Sequence, residues 1–330
     1  MNVHLVSRLE RGMTLPGARW LSEAWNAWMS DTLARPIPTP HGARLVTVGG
    51  ATLGGSGKTP LAIALARAMA RRGRRVVLVG HAYRAKPGRA RIVRPDDDVR
   101  AVGDEALVAA RALADTQAEV VVAERRADAV RFAAEHASLL ILDGPLQAKP
   151  QRAFRALLAV DSARPWGSGR CPPLGDLRAD PAALVAACDA VVAVGRHPPG
   201  PELFHRPVVH WPLVIEEFVA PSGERLPPSA FRHLRVGLLL GIARPERFES
   251  ELRDEGIVPV CTLRFADHDV PSERLLRKTA MLAKKERLDA WIATEKCQTR
   301  LPSHVGNVPV VVAKRTLDIS DEALSAFGIG

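Results

Sequence analysis

The chain has 330 residues, of which 47% are hydrophobic, 25% charged and 5% aromatic, the usage of a folded globular protein, which excludes a disordered tail or a fibrous repeat. Lys+Arg 46 against Asp+Glu 36 gives a net charge of +10, favouring acidic partners: nucleotide phosphates, nucleic acid or an anionic membrane surface. The basic residues are mostly arginine beside abundant alanine, a compositional bias that weakens the charge as a functional sign.

Residues 15 to 34 place Trp20, Leu21, Ala24, Trp25 and Trp28 at helical spacing, which predicts one apolar stripe on an amphipathic helix. Such a stripe suits packing on the domain. Three tryptophans with Arg8, Arg11 and Arg19 nearby also suit a lipid headgroup interface. No apolar run approaches the roughly 20 residues of a membrane-spanning helix, and the N-terminus lacks the apolar core of a secretory signal. Cys171, Cys188, Cys261 and Cys297 lie far apart without CxxC or Cys/His spacing, so neither a zinc site nor a disulfide framework is expected, and a reducing cytoplasm fits best.

After Pro36, Pro38, Pro40 and Gly42 the pattern changes to alternating strands and helices. The segments 45–48, 76–79, 120–123, 139–142, 157–160 and 191–194 are short, continuously apolar and mostly β-branched, as buried parallel strands are. Ala-rich helical spacing fills 58–72, 104–114 and 127–137. The result is an α/β fold with a doubly wound, mostly parallel sheet. A second group, 208–215, 236–243, a helix after Pro245, 291–293 and 308–313, predicts a smaller α/β domain. The boundary is placed near residue 205, giving domains 1–205 and 206–330.

Thr52-Leu53-Gly54-Gly55-Ser56-Gly57-Lys58-Thr59 lies between the first strand and the first Ala-rich helix. Glycines let successive N–H groups point at phosphate oxygens and the helix N-terminus adds its dipole. Lys58 reaches the β/γ-phosphates, and the Thr59 hydroxyl ligates Mg²⁺. The motif therefore predicts ATP and Mg²⁺. Asp143, at the end of the strand 139–142, is the expected metal acid, with Glu105 as a further carboxylate. Asp104, which opens a helix, would otherwise be read as its N-cap.

Several stretches in order resemble the tetraacyldisaccharide 4'-kinases, which phosphorylate the lipid A precursor: GGSGKTP (Gly54 to Pro60), VGDE (Val102 to Glu105), DSARPWGSGRCPPLGDLR (Asp161 to Arg178), GIARPERF (Gly241 to Phe248), FADH (Phe265 to His268) and TEK (Thr294 to Lys296). The resemblance implies transfer of the ATP γ-phosphoryl group to the 4'-hydroxyl of a lipid-linked disaccharide, by a monomer held peripherally at the cytoplasmic face of the inner membrane. It implies that Asp104 and His268 act together as base and that the C-terminal domain closes over the site. Tyr83, Gln147, Arg170 and Arg178 are the implied substrate contacts. The sequence departs from the family pattern at His81 (arginine in the pattern), Gly144 (aspartate), Ala148 (histidine), Ala179 (an acid) and Cys297 (aspartate). His81, Arg84 and Lys149 are the neighbours placed to compensate. Two other readings stay open: an ATP-binding relative with altered or lost transfer, and a P-loop ATPase acting on nucleic acid. The second lacks a basic stripe interleaved with aromatics.

Overall fold

The structure, a computed structural model, describes residues 17–33, 38–82, 85–144, 154–200, 206, 208–267, 269–317 and 319–329. The chain forms two compact units, one spanning Val6–Leu213 with Leu317–Gly330 and the other containing Val214–Thr316. The division falls after β8 rather than near residue 205, because β8 completes the sheet of the larger unit, and the last residues return to that unit.

In the larger unit α1 (Ala18–Leu33) precedes β1 (Arg44–Gly50), α2 (Lys58–Arg71), β2 (Val76–Val79), β3 (Arg91–Ile92), α3 (Val99–Val102) and α4 (Asp104–Ala112). Then come β4 (Glu119–Val122), α5 (Arg126–His136), β5 (Leu139–Gly144), β6 (Arg155–Asp161), α6 (Pro181–Ala186), β7 (Ala190–Val194) and β8 (Val208–Trp211). The sheet order is β3-β4-β2-β5-β1-β6-β7-β8, parallel throughout except for the β3/β4 pair at one edge. Helices cover both faces, so β1, β2, β5, β6 and β7 carry apolar side chains on both sides, which explains their unbroken Val, Leu and Ile runs. β5 and β6 flank β1 on opposite sides, so the strand order reverses there, where open α/β sheets bind ligands beyond the strand C-termini.

α2 packs Leu61, Leu65 and Met69 on this sheet, and Gly73, at φ 72°, follows its end. The same core takes in Leu317, Leu324, Phe327 and Ile329 from the chain's last segment, which contains α10 (Asp321–Ala326). Arg155 Nε donates to the Phe327 carbonyl at 2.6 Å, and the Trp211 and Phe327 rings meet edge to face at 5.5 Å.

The smaller unit holds β9 (Leu213–Val219), β10 (Arg225–Leu226), β11 (Val236–Leu240), α7 (Pro245–Asp254), β12 (Cys261–Arg264) and α8 (Glu273–Glu286). It continues through β13 (Ala290–Thr294), α9 (Glu295–Gln298), β14 (His304–Val305) and β15 (Val308–Leu317). Its sheet order is β10-β9-β15-β13-β11-β12, with β14 paired to β15 and the β15, β13, β11 and β12 set parallel. Phe218, Phe248 and Trp291 are fully buried at its centre.

α1 differs from expectation in one respect. Trp20, Leu21 and Trp28 are 69%, 50% and 55% exposed, but Trp25 turns inward beside Met29 and Leu33 and donates its indole N–H to the Arg178 carbonyl at 3.0 Å. The stripe read from the sequence is therefore two faces: at 100° per residue Trp25 lies far enough round from Trp28 to reach the protein. No described helix is long and apolar enough to cross a membrane.

Candidate active site

The phosphate loop leaves β1 and is tied down before any ligand arrives. Arg178 N–H donates to the Ala51 carbonyl at 2.8 Å, Leu53 N–H to Asp176 at 2.9 Å, and the Thr52 hydroxyl to the Gly54 carbonyl at 2.7 Å. Gly57 caps α2 at φ 84°, and a Cβ there would lie 2.6 Å from the Val194 side chain, so both conformation and space demand glycine. No side chain caps this end of α2. The first-turn N–H groups are left pointing at the concavity, where the helix dipole favours an anion.

The ends of β1 and β5 are in register, with Val48 beside Asp143 and Gly49 beside Gly144. That pairing delivers Asp143 to the first turn of α2, where it accepts a 2.6 Å hydrogen bond from the Thr59 hydroxyl. Lys58 Nζ lies 3.2 Å from Glu105 Oε2 and 3.9 Å from Asp143 Oδ1. Burial pushes the Asp143 carboxyl above the usual carboxylate range, against the pull of Lys58. Its Oδ1 is buried without a hydrogen-bond partner among the described residues, and so is Arg126 Nε. An orphaned acceptor beside a threonine hydroxyl suits a hard cation, and an orphaned guanidinium donor suits a phosphate. Thr59 and Asp143 are a pair of oxygen donors that fits Mg²⁺ completed by phosphate oxygens and water.

Arg126 was not among the candidates read from the sequence. It is the first residue of α5, after the C-terminal end of β4, and its guanidinium occupies the space over Gly144: a Cβ at that position would overlap Arg126 Nη2. Burial lowers Arg126 to about 10, with Asp143 resisting the shift. Arg178 is lowered by burial too, opposed by Glu105 and then Asp143, and its Nε donates to the Gly50 carbonyl at 3.2 Å. His81 joins the same cluster: desolvation first, and the Arg126 charge next, push its imidazole down to about 4. A rule that ligands sit beyond parallel-strand C-termini could have flagged Arg126, the first helical residue after such a strand.

Asp104 is 1% exposed in the first turn of α4, and the N-cap is Gly103 rather than Asp104 itself. The capping role is thereby excluded, and the carboxylate sits one residue from the Lys58 partner Glu105. Arg170 is exposed. Tyr83, Arg84, Gln147, Ala148, Lys149 and His268 lie outside the described residues.

In the smaller unit the motif segments converge at the ends of β11, β12 and β13. The Gly241 N–H and the Thr294 hydroxyl both donate to Cys297 Sγ at 3.2 Å, so this thiol accepts where the family pattern has a carboxylate. Burial raises the Cys297 thiol, against these two hydrogen bonds, which favour the thiolate. A Cβ at Gly241 would overlap the Phe265 ring, and Lys296 pairs with Asp267 at 2.9 Å, anchoring the segment that leads to His268.

The tetraacyldisaccharide-1-P 4'-kinase family matches residues 29–327. A tetraacyldisaccharide 4'-kinase of Dichelobacter nodosus is 31% identical over 293 residues, covering 88% of this chain and 83% of the relative. One from Methylobacterium nodulans is 32% identical over 305 residues, covering 91% and 86%. A crystal structure of LpxK from Aquifex aeolicus in complex with ATP superposes with a TM-score of 0.66 at 20% identity, over 93% of this chain and 95% of that one, a likeness of fold.

Proposed function

The chain belongs to the tetraacyldisaccharide 4'-kinase family, and from that premise we propose that it transfers the γ-phosphoryl group of ATP to the 4'-hydroxyl of a tetraacyldisaccharide 1-phosphate in lipid A biosynthesis. The observation that carries this is the Thr59–Asp143 hydrogen bond set against a glycine-capped helix, with Lys58 between two carboxylates. It supports an ATP-binding phosphoryl-transfer site.

The work of such a site is positioning and charge neutralisation. The loop N–H groups and Lys58 hold the β- and γ-phosphates, and Glu105 holds Lys58 in place before they arrive. Thr59 and Asp143 would hold Mg²⁺, which when bound draws charge off the transferring group. Arg126 and Arg178 supply fixed cations opposite those acids. Asp104 orients the His268 imidazole, which accepts the proton of the sugar hydroxyl. His268 belongs to the segment Val214–Thr316. Tyr83, Gln147 and Arg170 are assigned to the acceptor.

The protein works as a peripheral monomer at the cytoplasmic face of the inner membrane, with the exposed Trp20, Leu21 and Trp28 face of α1 at the headgroups of an anionic bilayer. The net charge of +10 complements that surface. Incubation with γ-labelled ATP, Mg²⁺ and the purified disaccharide lipid tests the reading. Label in the 4'-phosphate is expected. ATP binding without transfer would replace it with that of a relative that has lost the reaction.

A further inference from the structure

The segment from Cys171 to Asp180 runs between the phosphate loop and α1 and is hydrogen-bonded to both. Towards the loop, Arg178 N–H reaches Ala51 O at 2.8 Å, Leu53 N–H reaches Asp176 O at 2.9 Å, and Thr52 bridges Leu177. Towards the helix, the Ser22 hydroxyl donates to Cys171 O at 2.8 Å, the Trp25 indole to Arg178 O at 3.0 Å, and Asp180 N–H to Asn26 Oδ1 at 2.7 Å. Arg178 is thus the junction. Its N–H is fixed on the loop, its carbonyl on Trp25, and its guanidinium on Gly50 O among the charges of Glu105 and Asp143.

α1 spans 16 residues, near the length at which an isolated helix is marginal in water, so its helicity depends on what it packs against. Its inner face, Ser22, Trp25, Asn26, Met29 and Leu33, lies on this segment, and its outer face carries the exposed Trp20, Leu21 and Trp28. A bilayer that takes up the outer face stabilises the helix, and the same helix presents Trp25 to Arg178.

We propose that Trp25 is a positioning residue through which α1 couples membrane docking to the phosphate site, by holding Arg178 in register with the phosphate loop. The inference rests on the membrane reading of α1 and on Arg178 as part of the site. Because coupling free energies are reciprocal, a nucleotide that binds the phosphate loop must tighten vesicle binding by the factor with which vesicles tighten nucleotide binding.

The test uses the full chain and vesicles of phosphatidylethanolamine with phosphatidylglycerol, with and without Mg²⁺ and a non-hydrolysable ATP analogue. The parent is expected to bind vesicles about fivefold or more tightly with the nucleotide, the lower end of usual allosteric couplings. Trp25→Phe, which keeps the ring and loses the N–H, should bind vesicles normally without nucleotide and lose that tightening. It should also lower kcat, and raise KM for ATP only where vesicles are present. Added to Arg178→Lys it should cost nothing further, since two residues acting as one unit are non-additive. Should Trp25→Phe melt early, Asn26→Ala, which releases Asp180 N–H, takes its place. Equal vesicle affinity with and without nucleotide in the parent, or parental kcat and tightening in the variants, would overturn the proposal. A parent that transfers no phosphate defeats the kinase reading alone, because the vesicle measurement needs no acceptor.

Discussion

The phosphate loop and the rim of acidic and basic residues facing it belong to the same sheet, but are built by different means. The loop is fixed by backbone: glycine geometry, main-chain hydrogen bonds to Asp176 and Arg178, and a helix end without a capping side chain. The rim is fixed by side-chain charge, and there the chain departs from the family pattern. It lacks a carboxylate at Gly144 and an arginine at His81, whose imidazole is neutral at physiological pH. Those two losses have opposite sign and offset each other, and Arg126 occupies the space over Gly144. A backbone-built site has little freedom to vary; a charge-built one tolerates substitution as long as the local sum is kept.

The sharpest break in this contrast comes from the loop side. Lys58→Ala removes the one cation the loop aims at the phosphates, and transfer should fall by at least about 10²- to 10³-fold, measured with labelled ATP. Transfer at the parental rate would show that the rim alone suffices. For the proposed base pair, Asp104→Ala, His268→Ala and the double variant should each lose about 10²- to 10⁴-fold in kcat with ATP binding intact, the double no worse than the singles. Additive losses would separate the two residues into independent roles.

Restoring the pattern's carboxylate probes the offset directly. Gly144→Asp places a Cβ against Arg126 Nη2 at φ 149°, so it should impair rather than improve transfer, by roughly tenfold for a displaced positioning group. Improved transfer in Gly144→Asp would mean that Arg126 does not belong to the charge balance. Asp143→Asn should raise the Mg²⁺ concentration needed for half-maximal activity about tenfold or more, and an unchanged requirement would move the metal elsewhere.

The smallest effect is on stability. His81 has a folded pKa of about 4 against 6.5, so between those limits the unfolded chain holds the extra proton. Stability should fall as pH drops from about 6.5 towards 4, and His81→Asn should flatten that part of the curve in denaturant titrations. An equal slope in the variant would show that the imidazole is not held neutral by the site.

Legibility in the sequence follows the same division. The strand read at 76–79 coincides with β2, and the other buried strands fall within a few residues, because parallel strands covered on both faces leave an unbroken apolar run. β12 escaped because it is a half-buried edge strand, and α8 was passed over although Leu275, Leu276, Thr279, Ala280 and Ala283 give it an inward face at helical spacing. The loop residues were legible as a motif. Arg126 was missed: its place after a parallel strand could have marked it, but in a chain this rich in arginine it is burial against Gly144 that sets it apart from a solvated one, and burial is a property of the fold. The split of the tryptophans likewise follows from which side of α1 meets Cys171 to Asp180.

Leu324, Phe327 and Ile329 complete the core under α2 and β1, and they follow the whole of Val214–Thr316 in the chain. On the ribosome, at roughly 5–20 residues per second, the larger unit therefore waits on the order of ten seconds with that apolar patch open while the smaller unit is made. Nascent chains arrested near residue 300 should remain sensitive to protease around α2, and the nucleotide site should become protected only once the last segment has emerged. Birth of the phosphate site is thus a late event in synthesis, although the loop that forms it is translated early.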